Sequence, residues 1–242
     1  MKNQFHEEIL KRIKENSGKP IQDAVLNSYM GNNHVFYSIS IPALRVIAKE
    51  WMRKHRNLTA PDLAGVLSSL IKSKSSTEKI MAGILMGYSA KTQRTFDPDI
   101  FDEWLDHIAG WAEVDALCTG DFPMTELPAN WTKWKKLIVK LSKDPNINKR
   151  RASLVLFCSP LSRVRDERLA QEAFKRIDKL KSEKEVMISK AVSWLLRSMI
   201  RHYKIEVSDY VHANIDTLPK IAVRETLVKL KTGRKTKLKE GQ

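Results

Sequence analysis

Apolar residues recur at helical spacing through nearly every segment that separates turn signals, and no convincing alternation of apolar and polar residues marks a strand. Helix starts are well marked. Thr59-Ala60-Pro61-Asp62 places a capping threonine before a proline-led first turn, and Ser75-Ser76-Thr77-Glu78 has the form of a capping box. Asp97-Pro98-Asp99 opens another helix, and Asn130 stands as the cap of one that runs through Trp134 and Leu141. Pro219 sits at the first turn of the last helix, and Gly233 predicts its end.

Alternate helices start near Ser76, Trp111, Ile147, Glu185 and Pro219, at spacings of about 35, 36, 38 and 34 residues. That is slightly below the ~40-residue period of HEAT-type helix pairs. No consensus motif repeats, so a globular helical bundle is the competing architecture. The pattern predicts an all-α, HEAT-like solenoid of stacked antiparallel helix pairs. In such a stack, helices of equivalent rank would present their exposed residues on one concave, basic groove. One repeat domain is expected over residues 1–230, followed by a basic, disordered tail over 231–242.

Composition changes the picture in one respect. Forty-three Lys and Arg against 28 Asp and Glu leave a net charge of +15. Self-repulsion of that size is the mark of a protein with a polyanionic partner, nucleic acid first, an acidic membrane surface or acidic protein second. The two cysteines, Cys118 and Cys158, end apolar helical stretches, and the six histidines lack metal-ligand spacing. Two reduced thiols in a cytoplasmic protein, with no metal and no cofactor, are expected. Residues 1–14 lack the apolar core of a signal peptide, and no run reaches the ~20 apolar residues of a membrane span.

Three helices carry candidate chemistry. Trp111 and Asp115 are four apart and share a face, although a core tryptophan beside an exposed acid would give the same spacing. Ile147, Arg151, Leu154, Val155 and Cys158 form a stripe that is apolar except for Arg151, whose guanidinium either snorkels to water or holds an anion. On the helix from Glu185, the residues Ile188, Ala191, Val192, Leu195, Met199 and Ile200 form the predicted buried face. Lys190, Trp194, Arg197 and Arg201 make a separate stripe of three cations around one indole. A solvated charged face accounts for the cations but not for the indole, whereas a nucleic-acid groove needs both. By helix rank Asp115, Arg151 and Trp194 fall on successive wall helices. A carboxylate in a basic groove weakens phosphate binding, and makes sense where positive charge develops during a reaction.

These residues give the chain a resemblance to the AlkD-like family of bacterial DNA alkylation repair glycosylases, which are HEAT-like repeat proteins. The resemblance rests on Trp111-Ala112-Glu113-Val114-Asp115, Lys149-Arg150-Arg151-Ala152, Lys190-Ala191-Val192-Ser193-Trp194 and Ser28-Tyr29-Met30-Gly31-Asn32, in that family's order from about Tyr29 to Arg224. It implies that Asp115 is the catalytic carboxylate, that Trp111 and Trp194 lie against the deoxyribose of the lesion, and that Arg151 contacts the DNA backbone. Arg150 is the competing register for the last role, and Tyr29 is a further contact in the cleft. The last helix, Leu218 to Glu225, departs from the best-known members.

The implied reaction is monofunctional, metal-free hydrolysis of the N-glycosidic bond of a cationic alkylated purine in duplex DNA, by a monomer. The lesion is implied to stay in the duplex while its sugar and phosphates are gripped. The alternative is a non-catalytic helical-repeat protein that binds DNA structure or scaffolds an acidic protein.

Overall fold

The computed structural model describes residues 3–235, and all of its regular elements are helices. Two isolated bridges, Ile21 with Phe36 and Val35 with Ser75, are the extended pairings among the described residues. The chain forms two units, Met1–Cys118 and Thr119–Gln242. The first contains α1 (Gln4–Glu15), α2 (Ala24–Met30), α3 (Ile41–Lys54), α4 (Ala60–Ile71), α5 (Ser76–Tyr88), α6 (Ile100–Asp106) and α7 (Gly110–Cys118). The second contains α8 (Asp121–Ala129), α9 (Trp131–Leu141), α10 (Ile147–Val155), α11 (Cys158–Arg163), α12 (Glu167–Leu180), α13 (Val186–Met199), α14 (Lys204–Ala213) and α15 (Lys220–Thr232).

Local chemistry sets most of the starts. Asn3, Asp23, Ser40, Asn146 and Asp166 each accept a hydrogen bond from a first-turn amide. Thr59 and Asp62 complete a reciprocal capping box. The box expected at Ser75 does not form. Ser75 precedes α5 without a side-chain cap, because Glu78 turns inward and its Oε1 lies 2.7 Å from His6 Nε2 on α1. A long-range partner in the core outbids the local one. Asn130 likewise precedes α9 without capping it and donates instead to Glu126 at 2.7 Å. Gly233 ends α15 in the left-handed conformation, as expected. Lys231 and Thr232, placed by the sequence in the tail, belong to that helix, and residues 236–242 lie outside the described residues.

The five alternate helices expected from the spacing begin at Ser76, Gly110, Ile147, Val186 and Lys220, each within one residue of expectation. In the first unit α5 packs on α3 and α7, with α4 against α5 and α1. Trp51, Trp104, Leu67 and Met81 are fully buried there. In the second unit α13 packs on α10 and α15, and Trp134, Phe157, Leu195 and Met199 are fully buried. Ile200, counted by periodicity among the buried face of α13, caps its end and is half-exposed.

Gly83 fixes how closely α5 approaches α7. A Cβ at Gly83 would collide with the carbonyl of Ala116, backbone that cannot swing away. Gly87, one turn on, faces open space. Gly83→Ala should therefore cost about 1–3 kcal/mol through overpacking, whereas Gly87→Ala should gain up to about 1 kcal/mol by removing backbone freedom from the unfolded chain. Urea unfolding of the two variants checks the opposite signs.

Candidate active site

In α7 the motif from Trp111 to Asp115 divides between two faces, as a 3.6-residue period requires. Glu113, Val114, Leu117 and Cys118 point inward, while Trp111 and Asp115 are partly exposed on the other side. Glu113 is fully buried, and its carboxylate is the hub of the unit's polar interior. Its Oε1 accepts from Asn32 Nδ2 at 3.2 Å and lies 2.8 Å from His34 Nδ1, a contact that makes Nδ1 the donor. Its Oε2 accepts from the Ala109 amide at 2.9 Å.

The segment leading into α7 is held from another side by Lys79, only 2% exposed. The Lys79 ammonium donates to the carbonyls of Ile71 at 2.5 Å and His107 at 2.7 Å. Burial pulls its pKa below the usual lysine value, against the opposing pull of the Glu113 and Glu78 carboxylates. Gly110 completes the clamp. It has φ of 75°, and a Cβ there would run into the carbonyl oxygen of Met30, so both conformation and space demand glycine.

The consequence reaches the exposed face. Trp111 Nε1 donates to the Tyr29 carbonyl at 2.8 Å, and the two rings meet edge to face at 5.4 Å and 83°. Tyr29 itself is 65% exposed. Tyr29 and Trp111, both singled out by the sequence, thus meet in the first unit, and Asp115 lies one helical turn from Trp111 on the partly exposed face of α7. His34, Lys79, Gly110 and the roles of Asn32 and Glu113 were missed. Glu113 carried a usable signal, since it lies two residues from both Trp111 and Asp115 and so must face away from them.

In the second unit the predicted stripe of α13 divides too. Lys190 is exposed and Trp194 partly so, whereas Arg201, expected on the same stripe, lies beyond the helix end in an exposed turn. Arg197 turns inward: its Nε lies 3.3 Å from Glu225 Oε2 and donates to Ser193 Oγ at 3.3 Å, while Ser193 Oγ donates to the same carboxylate at 2.7 Å. Burial lowers the Arg197 pKa, with Glu225 opposing. Lys229 donates to the Arg197 carbonyl at 2.9 Å, so this cluster joins α13 to α15.

Of the paired arginines on α10, Arg151 is 4% exposed and donates to the Met187 carbonyl at 2.6 Å. It does not snorkel. Arg150 pairs with Glu183 at 3.0 Å and donates to the carbonyls of Asp144 and Pro145. Both cysteines are buried thiols. Among the described residues no group of three or more His, Cys, Asp or Glu could hold a metal ion, and no helix is long and apolar enough to cross a membrane.

Removing one partner from the buried network should be expensive. Glu113→Ala strands Asn32, His34 and the Ala109 amide, and should cost about 3–5 kcal/mol. Asn32→Ala should cost about 1–3 kcal/mol. Urea unfolding of both variants measures the two losses. A Glu113→Ala loss under 1 kcal/mol would show that the hub does not hold the unit.

Comparison with known proteins gives the setting for this geometry. A solved structure described as a predicted DNA alkylation repair enzyme from Enterococcus faecalis superposes with a TM-score of 0.68 at 21% identity, covering 84% of this chain and 92% of that one. At that identity the likeness concerns the fold. No curated protein matches. The model of the family described as DNA alkylation repair enzyme matches residues 10–230, nearly the whole chain. The chain belongs to the DNA alkylation repair enzyme family.

Proposed function

We propose that this protein is a monofunctional DNA glycosylase that removes cationic alkylated purines, of the 3-methyladenine and 7-methylguanine type, from duplex DNA. The observation that carries the proposal is the division of α7: one carboxylate, Glu113, is fully buried as a structural hub, while Asp115 is kept on the partly exposed face beside Trp111. Family membership and the net charge of +15 supply the DNA context.

The chemistry suits such a carboxylate. A purine alkylated at N3 or N7 is positively charged and takes the electron pair of the breaking C1′–N bond, leaving as a neutral base, so no general acid is needed. Cationic character passes to the sugar. Asp115 stabilises that oxocarbenium-like charge and orients the water whose oxygen bonds to C1′, the released proton passing to the carboxylate or solvent. The π-face of Trp111, its rotation restricted by the Tyr29 carbonyl, adds about 0.5–2 kcal/mol of cation–π attraction. No cofactor enters.

In the second unit the proposal gives Trp194 a deoxyribose contact and gives phosphates to the exposed Lys190 and Arg201. Arg150, Arg151 and Arg197 already hold protein partners, so any phosphate contact they make comes in addition to a structural role. The protein is proposed to act as a monomer in the cytoplasm, on a lesion that stays in the duplex.

Asp115→Asn should lower single-turnover release of 7-methylguanine by about 10²–10³-fold while DNA affinity stays equal or rises. Release at the wild-type rate would remove Asp115 from the reaction. A non-catalytic DNA binder would show no release in either protein.

Duplex affinity should fall steeply with salt. Lys190→Ala and Arg201→Ala should each flatten the slope of log K against log salt by about 0.9, and Arg197→Ala should instead lower thermal stability. Trp194→Phe should melt near the wild-type temperature with modestly slower excision, and Trp194→Ala should be far slower while still folded. Slopes unchanged in the first pair, or full excision by folded Trp194→Ala, would overturn these assignments.

A further inference from the structure

The second unit has two layers of helices. In one, α10, α13 and α15 pack in succession and carry Arg150, Arg151, Lys190 and Trp194. The other is formed by α9, α12 and α14. Lys135 on α9 lies 3.8 Å from Glu172 on α12, and Arg176 on α12 donates to Ser142 Oγ, just past α9, at 2.7 Å. Tyr210 on α14 donates to Asp178 on α12 at 2.7 Å. This layer holds none of the groups given a role so far.

Its charge is one-sided. From Leu127 to Lys143 the chain has no acidic residue but carries Lys133, Lys135, Lys136, Lys140 and Lys143. On α9, Trp134, Leu137, Ile138 and Leu141 are buried, and Lys133, Lys136 and Lys140 recur at i, i+3 and i+7 on the exposed face. Lys143 follows, exposed in the turn after the helix. On the neighbouring α12, Lys175 and Lys179 are exposed, four apart, away from the buried Leu169, Ala173 and Ile177. Like charges at these spacings destabilise a helix. The surface helix α1 avoids that by mixing Glu7, Glu8 and Glu15 with Lys11, Arg12 and Lys14. Since Arg150, Arg151 and Arg197 hold protein partners, the lysines of α9 and α12 carry much of the surplus charge that the site leaves unused.

The lining names the partner. A lipid surface or an acidic protein is gripped through apolar or aromatic anchors set among the charges. None of the large exposed apolar side chains among the described residues lies on α9 or α12. Trp131, which opens α9, meets Phe157 edge to face at 6.1 Å, and Phe174 on α12 packs on Tyr210 at 4.7 Å. Without an exposed aromatic face the surface does not suit single strands, whose bases need stacking. The backbone of a duplex asks only for cations.

We propose that the lysine face of α9 and α12 binds the phosphate backbone of a second DNA duplex while the candidate active site engages the first. The proposal rests on the DNA reading given above and adds a second, sequence-independent DNA surface to it. A protein that holds two segments at once passes between them without release into solvent.

The test places the full chain at low density on a surface-tethered undamaged duplex and adds a second, fluorescently labelled duplex. Capture of labelled duplex in equal amount to bound protein is expected at low salt. It should fall steeply as salt rises, each phosphate contact contributing about 0.9 to the slope of log K against log salt. The combined variant Lys136→Gln, Lys143→Gln, Lys175→Gln and Lys179→Gln should hold the tethered duplex but capture the second about tenfold less or worse. It should melt at or above the wild-type temperature, because like charges are relieved. The double variant Lys136→Gln with Lys175→Gln should lose capture in part. An equal change of charge on exposed positions of α1 and α3, Lys11→Gln, Lys14→Gln, Lys49→Gln and Lys54→Gln, should capture as the wild type does.

No capture by the wild type, capture retained by both α9–α12 variants, or capture lost equally in the α1–α3 variant would each overturn the proposal. Vesicles of acidic lipid that bind through the same four lysines and exclude duplex would overturn it in favour of a membrane. Single-turnover release of 7-methylguanine, measured alongside at saturating protein, should be unchanged in the α9–α12 variants. Excision without capture sinks the second surface alone, and capture without excision sinks the glycosylase reading alone.

Discussion

Everything distinctive in the first unit hangs on one buried carboxylate. Glu113 receives Asn32, His34 and the Ala109 amide at once, joining the segment after α2 to the start of α7. A charge taken out of water is tolerable only when its lone pairs are matched this fully. The backbone then closes so tightly that Gly110 has no room for a side chain against Met30. Gly83 allows the same intimacy between α5 and α7 at Ala116, the neighbour of Asp115. The exposed face of α7 is therefore mounted on a rigid base, and Trp111 is pinned to Tyr29 as a consequence.

The second unit spends its charges differently. Of the cations that pattern alone would send to DNA, Arg197 binds α13 to α15 through Glu225, Arg150 is held by Glu183, and Arg151 is buried against Met187. Lys190 remains exposed on α13 four residues before Trp194, and Arg201 remains exposed in the turn that follows the helix. A large positive surplus is thus no guide to which cation meets a phosphate. Burial and the nearest carboxylate decide that.

The helical fold was legible because helix starts and apolar periodicity are local properties, and the five alternate helices begin within a residue of their expected places. Trp111, Asp115 and Tyr29 were legible as motif residues. What stayed hidden was set by partners distant in sequence. His6 draws Glu78 away from the capping box at Ser75, and Glu225 draws Arg197 off the exposed stripe. Asn32 and His34 reach Glu113 across 81 and 79 residues. No window of helical length contains both ends of such a contact. Glu113 was the exception in principle, since periodicity alone puts it opposite Asp115.

The central proposal is that this chain breaks the glycosidic bond rather than moving the alkyl group. The direct measurement is a mass analysis of both products after wild-type protein meets duplex DNA carrying 7-methylguanine. Free 7-methylguanine released in equal amount to new abasic sites, with protein mass unchanged, is the predicted result. Restored guanine in intact DNA, a methyl group gained by the protein, or no change in the DNA at all would contradict it.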